Sequence, residues 1–530
     1  MRASEEPPAQ GLRAVFRKVD ITPAYPVSLL GYFTERLSTG VLDPLYCRMA
    51  AVAAEGGRPA RSGPWRRGPA RSELARLPGR ARRSCRSAAR PAPARRDRLG
   101  RRRTGSRAPT RPAPVRRLLF IQIDTCLIEN GFAWLLRRAL RRPEAGRWAE
   151  REVLLFANHT HTAPALMNLY EARREERYAA GLLRVLAVEA GAAARTLAEA
   201  SPSARAPAAT VWAARGRAEG LAFNRRWLLR DGRLLTNPPR GLRAQLARTE
   251  GPVDPELDSL LFRDAAGRPL ALFLGVANHA DTIGGDRISA DWTGVLEREI
   301  CRDLGSDIPV FPLLGAQGNI NHFDLSSDRD QTCYAEAQRL GRAYATAVLE
   351  ALPRAEPLSA PPRRPALGCA VRRVRVPGRR IPSAELSRAK ALAAAGERET
   401  GGSKPLTAVE LAEGSEAVRR ILAGELLRIA PGRRRACRVP LQVARLGGAV
   451  FFAFPGEPFA ELGLALKGAA AARGARLAIP LGLANGYYGY ILPGESLLRG
   501  GYEALSVSGS LGGCTAARLV SALAALGSRV

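Results

Sequence analysis

Residues 153–164 read Val153-Leu154-Leu155-Phe156-Ala157-Asn158-His159-Thr160-His161-Thr162-Ala163-Pro164, and the chain is organised around this stretch. Its five apolar residues predict a buried strand, and the two histidines after it are two positions apart. Because side chains at such positions of an extended chain point to the same face, His159 and His161 are predicted to lie side by side. The chain of 530 residues has only four histidines and places two of them here, which indicates a metal or proton-transfer centre.

The same pattern, an apolar run that ends in polar side chains, recurs along the chain. Leu270–Ala277 leads to Asn278-His279, 309–314 leads to His322, and 449–454 leads to Glu457. Stretches with helical periodicity lie between these runs: 132–142, 178–200, 291–303, 334–352, 383–395, 407–427 and 459–471. Alternating strands and helices predict an α/β fold, with mixed β-sheets covered by helices and an active site at the carboxyl ends of strands.

Three of the side chains at these strand ends form a plausible set of metal ligands. His159, His279 and Glu457 offer two nitrogens and one oxygen, a set that suits a catalytic zinc ion with one position left for water. Tyr490 is a further candidate ligand. Spacing alone leaves a second interpretation open, in which each histidine is a structural residue of the core.

The formal net charge of +33 raises nucleic-acid binding as a function, but its distribution argues against that class. Residues 58–117 contain 21 arginines and two acidic residues, so this stretch carries +19 and the rest of the chain +14. The stretch is rich in Arg, Pro, Ala, Ser and Gly and lacks aliphatic periodicity, which predicts a disordered insertion. We interpret it as a spacer, or as a stretch translated from the wrong reading frame. The alternative is a polyanion-binding arm, and no specific nucleic-acid partner is expected.

The cysteines and the hydropathy pattern exclude several other classes. The eight cysteines form no CxxC pair, so neither a zinc finger nor a compact disulfide framework is indicated. No run approaches the roughly 20 apolar residues of a transmembrane segment, and residues 1–10 lack the apolar core of a signal peptide. A cytoplasmic location is therefore expected, unless a misplaced start hides an export signal.

Five ordered motifs resemble the zinc-bearing N-terminal catalytic domain of the neutral/alkaline, non-lysosomal ceramidase family. They run from about residue 14 to 515: Asp20-Ile21-Thr22-Pro23 with Leu30-Gly31-Tyr32; Asn158–Pro164, similar to the family's Ser-His-Thr-His-Ser-Gly-Pro; Asn278-His279 with Ile288-Ser289-Ala290-Asp291; Pro455-Gly456-Glu457; and Tyr490 with Tyr502-Glu503-Ala504. The resemblance implies one catalytic domain over residues 14–527, interrupted by the insertion. The family's C-terminal β-sandwich domain is expected to be absent.

The resemblance also implies roles for individual residues. Zinc would be held by His159, His279, Glu457 and Tyr490. His161 would contact the substrate or the water, while Arg225 and Tyr502 would face the scissile group. The implied function is hydrolysis of an amide bond by a zinc-activated water, in ceramide or another N-acyl compound, and thus a part in sphingolipid or other lipid metabolism.

The chain departs from the family pattern in a loop that would approach the substrate. Ceramidases have Gly-Asp-Val-Ser-Pro there, with an active-site serine, whereas this chain has Gly318-Asn319-Ile320-Asn321-His322. Asn321 is not a nucleophile, and His322 adds an imidazole for proton transfer or for packing. Leu42 also replaces a histidine of the family. An alternative function is therefore an inactive relative that acts as a scaffold or binds polyanions through its insertion.

Overall fold

The computed structural model describes residues 12–54, 116–199, 208–359, 366–395, 406–513 and 515–530. Residues 58–115 of the predicted insertion lie outside these ranges, so its disorder stays a prediction. Arg117, the last residue of that predicted stretch, is the first residue of a strand. No helix within the described ranges is both long and apolar enough to cross a membrane.

The strands of the described residues are numbered in chain order. They are β1 (Leu12–Asp20), β2 (Leu29–Leu30), β3 (Gly40–Val41), β4 (Tyr46–Ala54), β5 (Arg117–Ile123), β6 (Val153–Ala157), β7 (Ala163–Pro164), β8 (Ala208–Arg217), β9 (Phe223–Asn224), β10 (Arg226–Leu229), β11 (Leu234–Thr236), β12 (Leu246–Thr249), β13 (Glu256–Arg263), β14 (Pro269–Val276), β15 (Arg287–Ile288), β16 (Val310–Leu314), β17 (Ile320–Asn321), β18 (Glu356–Pro357), β19 (Leu367–Pro377), β20 (Ala436–Leu446), β21 (Ala449–Ala453), β22 (Glu457–Pro458), β23 (Leu477–Leu481) and β24 (Tyr490–Ile491).

The α-helices are numbered in the same way. They are α1 (Asn130–Leu140), α2 (Glu176–Ala198), α3 (Trp292–Leu304), α4 (Tyr334–Ala351), α5 (Ser383–Ala394), α6 (Ala408–Ala412), α7 (Glu416–Ile429), α8 (Ala460–Ala471), α9 (Gly494–Arg499) and α10 (Thr515–Gly527).

Two sheets form the centre of the described structure. The larger has nine strands in the order β16-β14-β13-β8-β1-β4-β5-β6, with β18 paired to β8, and the smaller has the order β19-β20-β21-β23. Most neighbours are antiparallel, but β5–β6, β14–β16 and β21–β23 are parallel pairs. Both sheets are therefore mixed, as the sequence predicts.

The alternation of side chains along each strand separates the layers. On β5, Phe120 points to a core between the two sheets, where its ring lies 5.2 Å from that of Phe273 and 5.2 Å from that of Phe451. Leu119 and Ile121 on the same strand face the opposite core, beneath α1 and α2. Helices α3 and α4 cover the other half of the large sheet, and α8 and α10 cover the small sheet. The layers are thus helix, sheet, sheet and helix.

Some predicted elements are wrong in detail. Residues 407–427 are predicted as one helix, but the structure has α6 and α7, separated at Gly414, whose φ of +82° is left-handed. This conformation ends α6 because glycine adopts it without a Cβ clash. Strands β19 and β20 pair over eleven residues and are not among the predicted elements.

Candidate metal centre

The candidate ligands follow the ends of strands in both sheets. His159 comes two residues after β6, and His279 comes three residues after β14. Glu457 begins β22, which pairs in parallel with β24 and places Glu457 in register with Tyr490. Segments more than 100 residues apart in the sequence therefore meet at one end of the two sheets.

Three of these side chains converge on one point. Glu457 Oε2 lies 3.4 Å from His159 Nε2 and 3.3 Å from His279 Nε2. All three residues are at most 3% exposed. Burial would raise the pKa of the Glu457 carboxyl, but His159 and His279 hold it well below its usual range. The centre therefore holds a carboxylate against two imidazoles.

The atoms of this group fit a metal ion such as zinc. His159 Nδ1 is 2.9 Å from the carbonyl of Cys126, and His279 Nδ1 is 2.7 Å from the carbonyl of Ile320. When each Nδ1–H donates to its carbonyl, the Nε2 lone pairs point inward. Within the described part of the chain, His159 Nε2 and Glu457 Oε2 have no hydrogen-bond partner. Tetrahedral ligands at about 2.0–2.1 Å from zinc stand about 3.3–3.4 Å apart, which matches the separations here.

Tyr487 is a site residue that the sequence analysis does not identify. Its hydroxyl donates a hydrogen bond of 2.8 Å to Glu457 Oε1, which leaves Oε2 for the two histidines. The neighbouring Tyr490 lines the same cavity, and burial, with Glu457 nearby, raises the pKa of its phenol well above the usual value. The concentration of tyrosines in residues 485–490 draws attention to this segment, but the sequence does not show which of their hydroxyls reaches the carboxylate of Glu457.

His161 lies beside the group, as predicted, but for a different reason. Its ring centroid is 4.8 Å from that of His159, and neither of its ring nitrogens has a hydrogen-bond partner among the described residues. Strand β6 ends at Ala157, and His159 has a φ of +63°. The two imidazoles therefore face the same cavity because the backbone of His159 is left-handed, and not because side chains alternate along a strand.

Arg225 and Tyr502 both line the cavity. Arg225 donates from Nε to Glu503 and from a terminal nitrogen to the carbonyl of Gly318, both at 2.8 Å. Its other terminal nitrogen is 3.3 Å from His279 Nε2, so the guanidinium faces the candidate ligands. The hydroxyl of Tyr502 is 2.7 Å from that of Tyr170.

The loop 318–322, which is predicted to approach the substrate, is buried, and its polar side chains contact other residues of the protein. Asn319 donates to Glu461 at 3.1 Å, and Asn321 donates to Asn237 at 2.8 Å. His322 lies between two acceptors, with Nδ1 at 3.2 Å from Asp281 and Nε2 at 2.6 Å from the carbonyl of Gln331. Burial lowers the pKa of His322, but the Asp281 carboxylate outweighs it and raises that pKa.

A cavity of about 940 Å³ opens over the candidate ligands. Its polar lining includes His159, His161, Arg225, Asp281 and Glu457. Apolar side chains also line it, several of them from the segments around α6 and α7: Met167, Leu169, Leu406, Val409, Ile429 and Val507. The same two segments contribute charged side chains, those of Glu410, Glu425, Arg428 and Arg433. A lining that combines polar and apolar side chains can accept a molecule with one polar, reactive group and an extended apolar part.

Comparisons with known proteins bear on the fold. No family model matches the sequence, and no curated protein matches it. Among solved structures, the neutral ceramidase from Pseudomonas aeruginosa has a TM-score of 0.63 and 18% sequence identity, over 98% of this chain and 74% of that chain. A ceramidase complexed with C2 has a TM-score of 0.64 and 17% identity, over 98% and 75% of the respective chains. The chain therefore has the fold of the neutral ceramidase structures.

Proposed function

We propose that this chain is a zinc-dependent hydrolase of the neutral ceramidase-like family that cleaves the amide bond of ceramide or another N-acyl compound. The observation that carries the proposal is the convergence of His159 Nε2, His279 Nε2 and Glu457 Oε2 in a buried group. We assign the zinc ion to these three residues and Tyr490. When bound, the ion would supply a Lewis acid that polarises a carbonyl and lowers the pKa of water.

The side chains around the ligands have the chemistry that amide hydrolysis needs. His161 has two ring nitrogens without partners in the cavity, so it can take a proton from water or hold a substrate hydroxyl. The guanidinium of Arg225 is fixed by Glu503 and can stabilise negative charge that develops on the carbonyl oxygen. Tyr502, whose hydroxyl is bonded to that of Tyr170, would orient the scissile group.

The loop that departs from the family pattern takes no direct part in this scheme. The side-chain amide of Asn321 donates a hydrogen bond to Asn237. The ring nitrogens of His322 lie next to the carboxylate of Asp281 and the backbone carbonyl of Gln331. These side chains would instead support the cavity wall, since Asn237 and Asp281 both line it. The proposed chemistry therefore needs no side-chain nucleophile from this loop.

The substrate proposal rests on the shape of the cavity. Three of the proposed ligands, His159, Glu457 and Tyr490, line it, and its apolar side chains, among them Met167 and Val507, suit an acyl chain or another long hydrocarbon. An amide with a small polar head and a long apolar part would place its carbonyl near Arg225 while burying the chain.

The test is hydrolysis of a panel of N-acyl amides, ceramide included, with and without a chelator. We expect activity that the chelator removes and added zinc restores, together with about one zinc ion per chain. Glu457→Gln should lose both the metal and the activity because it replaces the anionic carboxylate with a neutral amide, which is a much weaker ligand. Glu461→Gln is the matched control, since this carboxylate lies four residues away and bonds Asn319.

Two outcomes would contradict the proposal. Purified protein that binds no zinc would overturn the metal assignment. Bound zinc without hydrolysis of any amide would overturn the activity and favour the inactive scaffold.

A further inference from the structure

A second group of potential metal ligands lies on the other side of His159. Ligand atoms of Cys126, His159 and His161 all lie within 4.8 Å of one another. Cys126 follows β5, is 2% exposed, and places its Sγ 3.7 Å from His159 Nδ1. Both ring nitrogens of His161 are buried, and no residue that the structure describes forms a hydrogen bond with them. One histidine is therefore shared by two different donor sets.

The two sets differ in chemical softness. His159, His279 and Glu457 offer two imidazoles and a carboxylate, whereas the second set replaces the carboxylate with sulfur. Thiolate ligands favour soft, polarisable ions, and carboxylates favour harder ones. Cadmium is softer than zinc, so it should prefer the set that contains Cys126.

We propose that Cys126, His159 and His161 form a second metal site that takes soft, thiophilic ions such as Cd²⁺. Binding forms a metal–sulfur bond, breaks the S–H bond of Cys126 and releases one proton to solvent. For Nδ1 of His159 to bind the ion, the proton on Nδ1 moves to Nε2, which faces Glu457 Oε2 at 3.4 Å. The site stands on the geometry of these three residues alone. Its consequence rests on the proposed function: a soft ion here occupies His159 and His161 and so inhibits hydrolysis.

The site is tested by titrating the zinc-free, full-length protein with up to one equivalent of Cd²⁺. The readout is the ultraviolet charge-transfer absorption of a cadmium–sulfur bond, which needs no enzymatic activity. We expect this absorption in the unmodified protein, its loss in Cys126→Ser and its weakening in His161→Ala. Cys301→Ser is the matched control, because Cys301 is half-buried on α3 and its thiol donates to the carbonyl of Ile308.

Glu457→Gln separates this inference from the proposed function. Since Glu457 is not a member of the second set, the variant should keep the cadmium–sulfur absorption while it loses zinc. Absence of amide hydrolysis together with this absorption would overturn the proposed function and leave the second site standing. Hydrolysis that Cd²⁺ does not inhibit, in protein with the absorption, would overturn the inhibitory consequence.

The inference is overturned if Cys126→Ser keeps the full absorption, or if Cys301→Ser loses it as well. Should Cys126→Ser fail to fold, X-ray absorption at the cadmium edge of the unmodified protein decides the question. One sulfur with nitrogen neighbours around the ion supports the site, and a shell of oxygen and nitrogen alone overturns it.

Discussion

At the scale of single residues, the candidate centre is organised by bonds on the outer atoms of its side chains. In both His159 and His279, Nδ1 lies next to a backbone carbonyl, and Glu457 Oε1 accepts a hydrogen bond from Tyr487. These contacts leave one atom of each side chain facing inward. Groups that orient ligands in this way affect metal affinity although they do not touch the ion.

Tyr487→Phe should lower zinc affinity by about 10- to 100-fold, because loss of its hydroxyl lets the Glu457 carboxylate rotate. The measurement is a competition titration against a chromophoric chelator. Tyr488→Phe is the matched control, since its hydroxyl bonds the carbonyl of Arg438. Equal zinc affinities in the two variants would refute the role given to Tyr487.

Glu503 is a buried carboxylate whose loss should destabilise the fold. It accepts hydrogen bonds from Arg225 at 2.8 Å, Arg226 at 2.6 Å and Thr236 at 2.8 Å. Glu503→Gln leaves both guanidiniums without this charge and should cost about 3 kcal/mol of unfolding free energy. Denaturant unfolding measures the loss, and Glu495→Gln, at a half-buried carboxylate on α9, should change stability by less than about 0.5 kcal/mol.

The effect of Glu503→Gln should also depend on pH. Burial would raise the pKa of Glu503, but Arg225 and Arg226 hold it below its usual value. A lowered folded-state pKa gives stability that is complete above the unfolded pKa of about 4.3 and is lost as pH falls through the folded value. The stability difference between the two proteins should therefore shrink below about pH 4.3. A difference that stays constant in acid would contradict the ion-pair explanation.

At the scale of elements, the strands that the sequence predicts are those buried on both faces. Strands β6, β14, β16 and β21 lie in continuous apolar runs, a pattern that can be recognised without knowing which strands are neighbours. Strand β19 is not predicted because it has Arg372, Arg373 and Arg375 on its partly exposed half, where aliphatic alternation is interrupted. Its identity as a strand comes from pairing with β20, which only the folded chain provides.

The candidate site likewise has features that the sequence predicts and features that only the folded chain provides. The residue types of His159, His279 and Glu457 and their positions after apolar runs are visible in the sequence. The left-handed backbone of His159 and the bond from Tyr487 to Glu457 depend on contacts between distant segments. The sequence therefore predicts candidate ligands but not the groups that orient them.

The break between α6 and α7 predicts that alanine at two glycine positions changes the free energy of unfolding in opposite directions. Both Gly414 and Gly424 have open space where a Cβ would be added, but only Gly414 has a positive φ, of +82°. Gly414→Ala should lower the unfolding free energy by about 1 kcal/mol, because alanine is strained in the left-handed region. Gly424→Ala, inside α7, should raise it by about 0.5–1 kcal/mol.

Denaturant unfolding of the two alanine variants tests this division, and each variant is the other's control. A rise in the free energy of unfolding in both variants would show that residues 407–427 form a continuous helix in solution.

At the scale of the whole molecule, the candidate centre joins the two sheets. His159 and His279 follow strands of the large sheet, whereas Glu457 follows β21 of the small sheet. Between the sheets, the rings of Phe120, Phe273 and Phe451 form a closely packed core. A metal ion at the centre would thus add a link between layers that apolar packing and hydrogen bonds, such as that from Asn485 N–H to the carbonyl of Leu155, already hold together.

Zinc should therefore stabilise the whole fold, because an ion bound by both sheets is lost when either one unfolds. At a free zinc concentration of 100 times Kd, the gain is about 2.7 kcal/mol, which calorimetry or denaturant unfolding with and without chelator can measure. Mg²⁺, which prefers an all-oxygen octahedral shell, should give little stabilisation. Glu461→Gln should keep the rise in Tm and Glu457→Gln should lose most of it; an equal rise in both variants would place the stabilising zinc elsewhere.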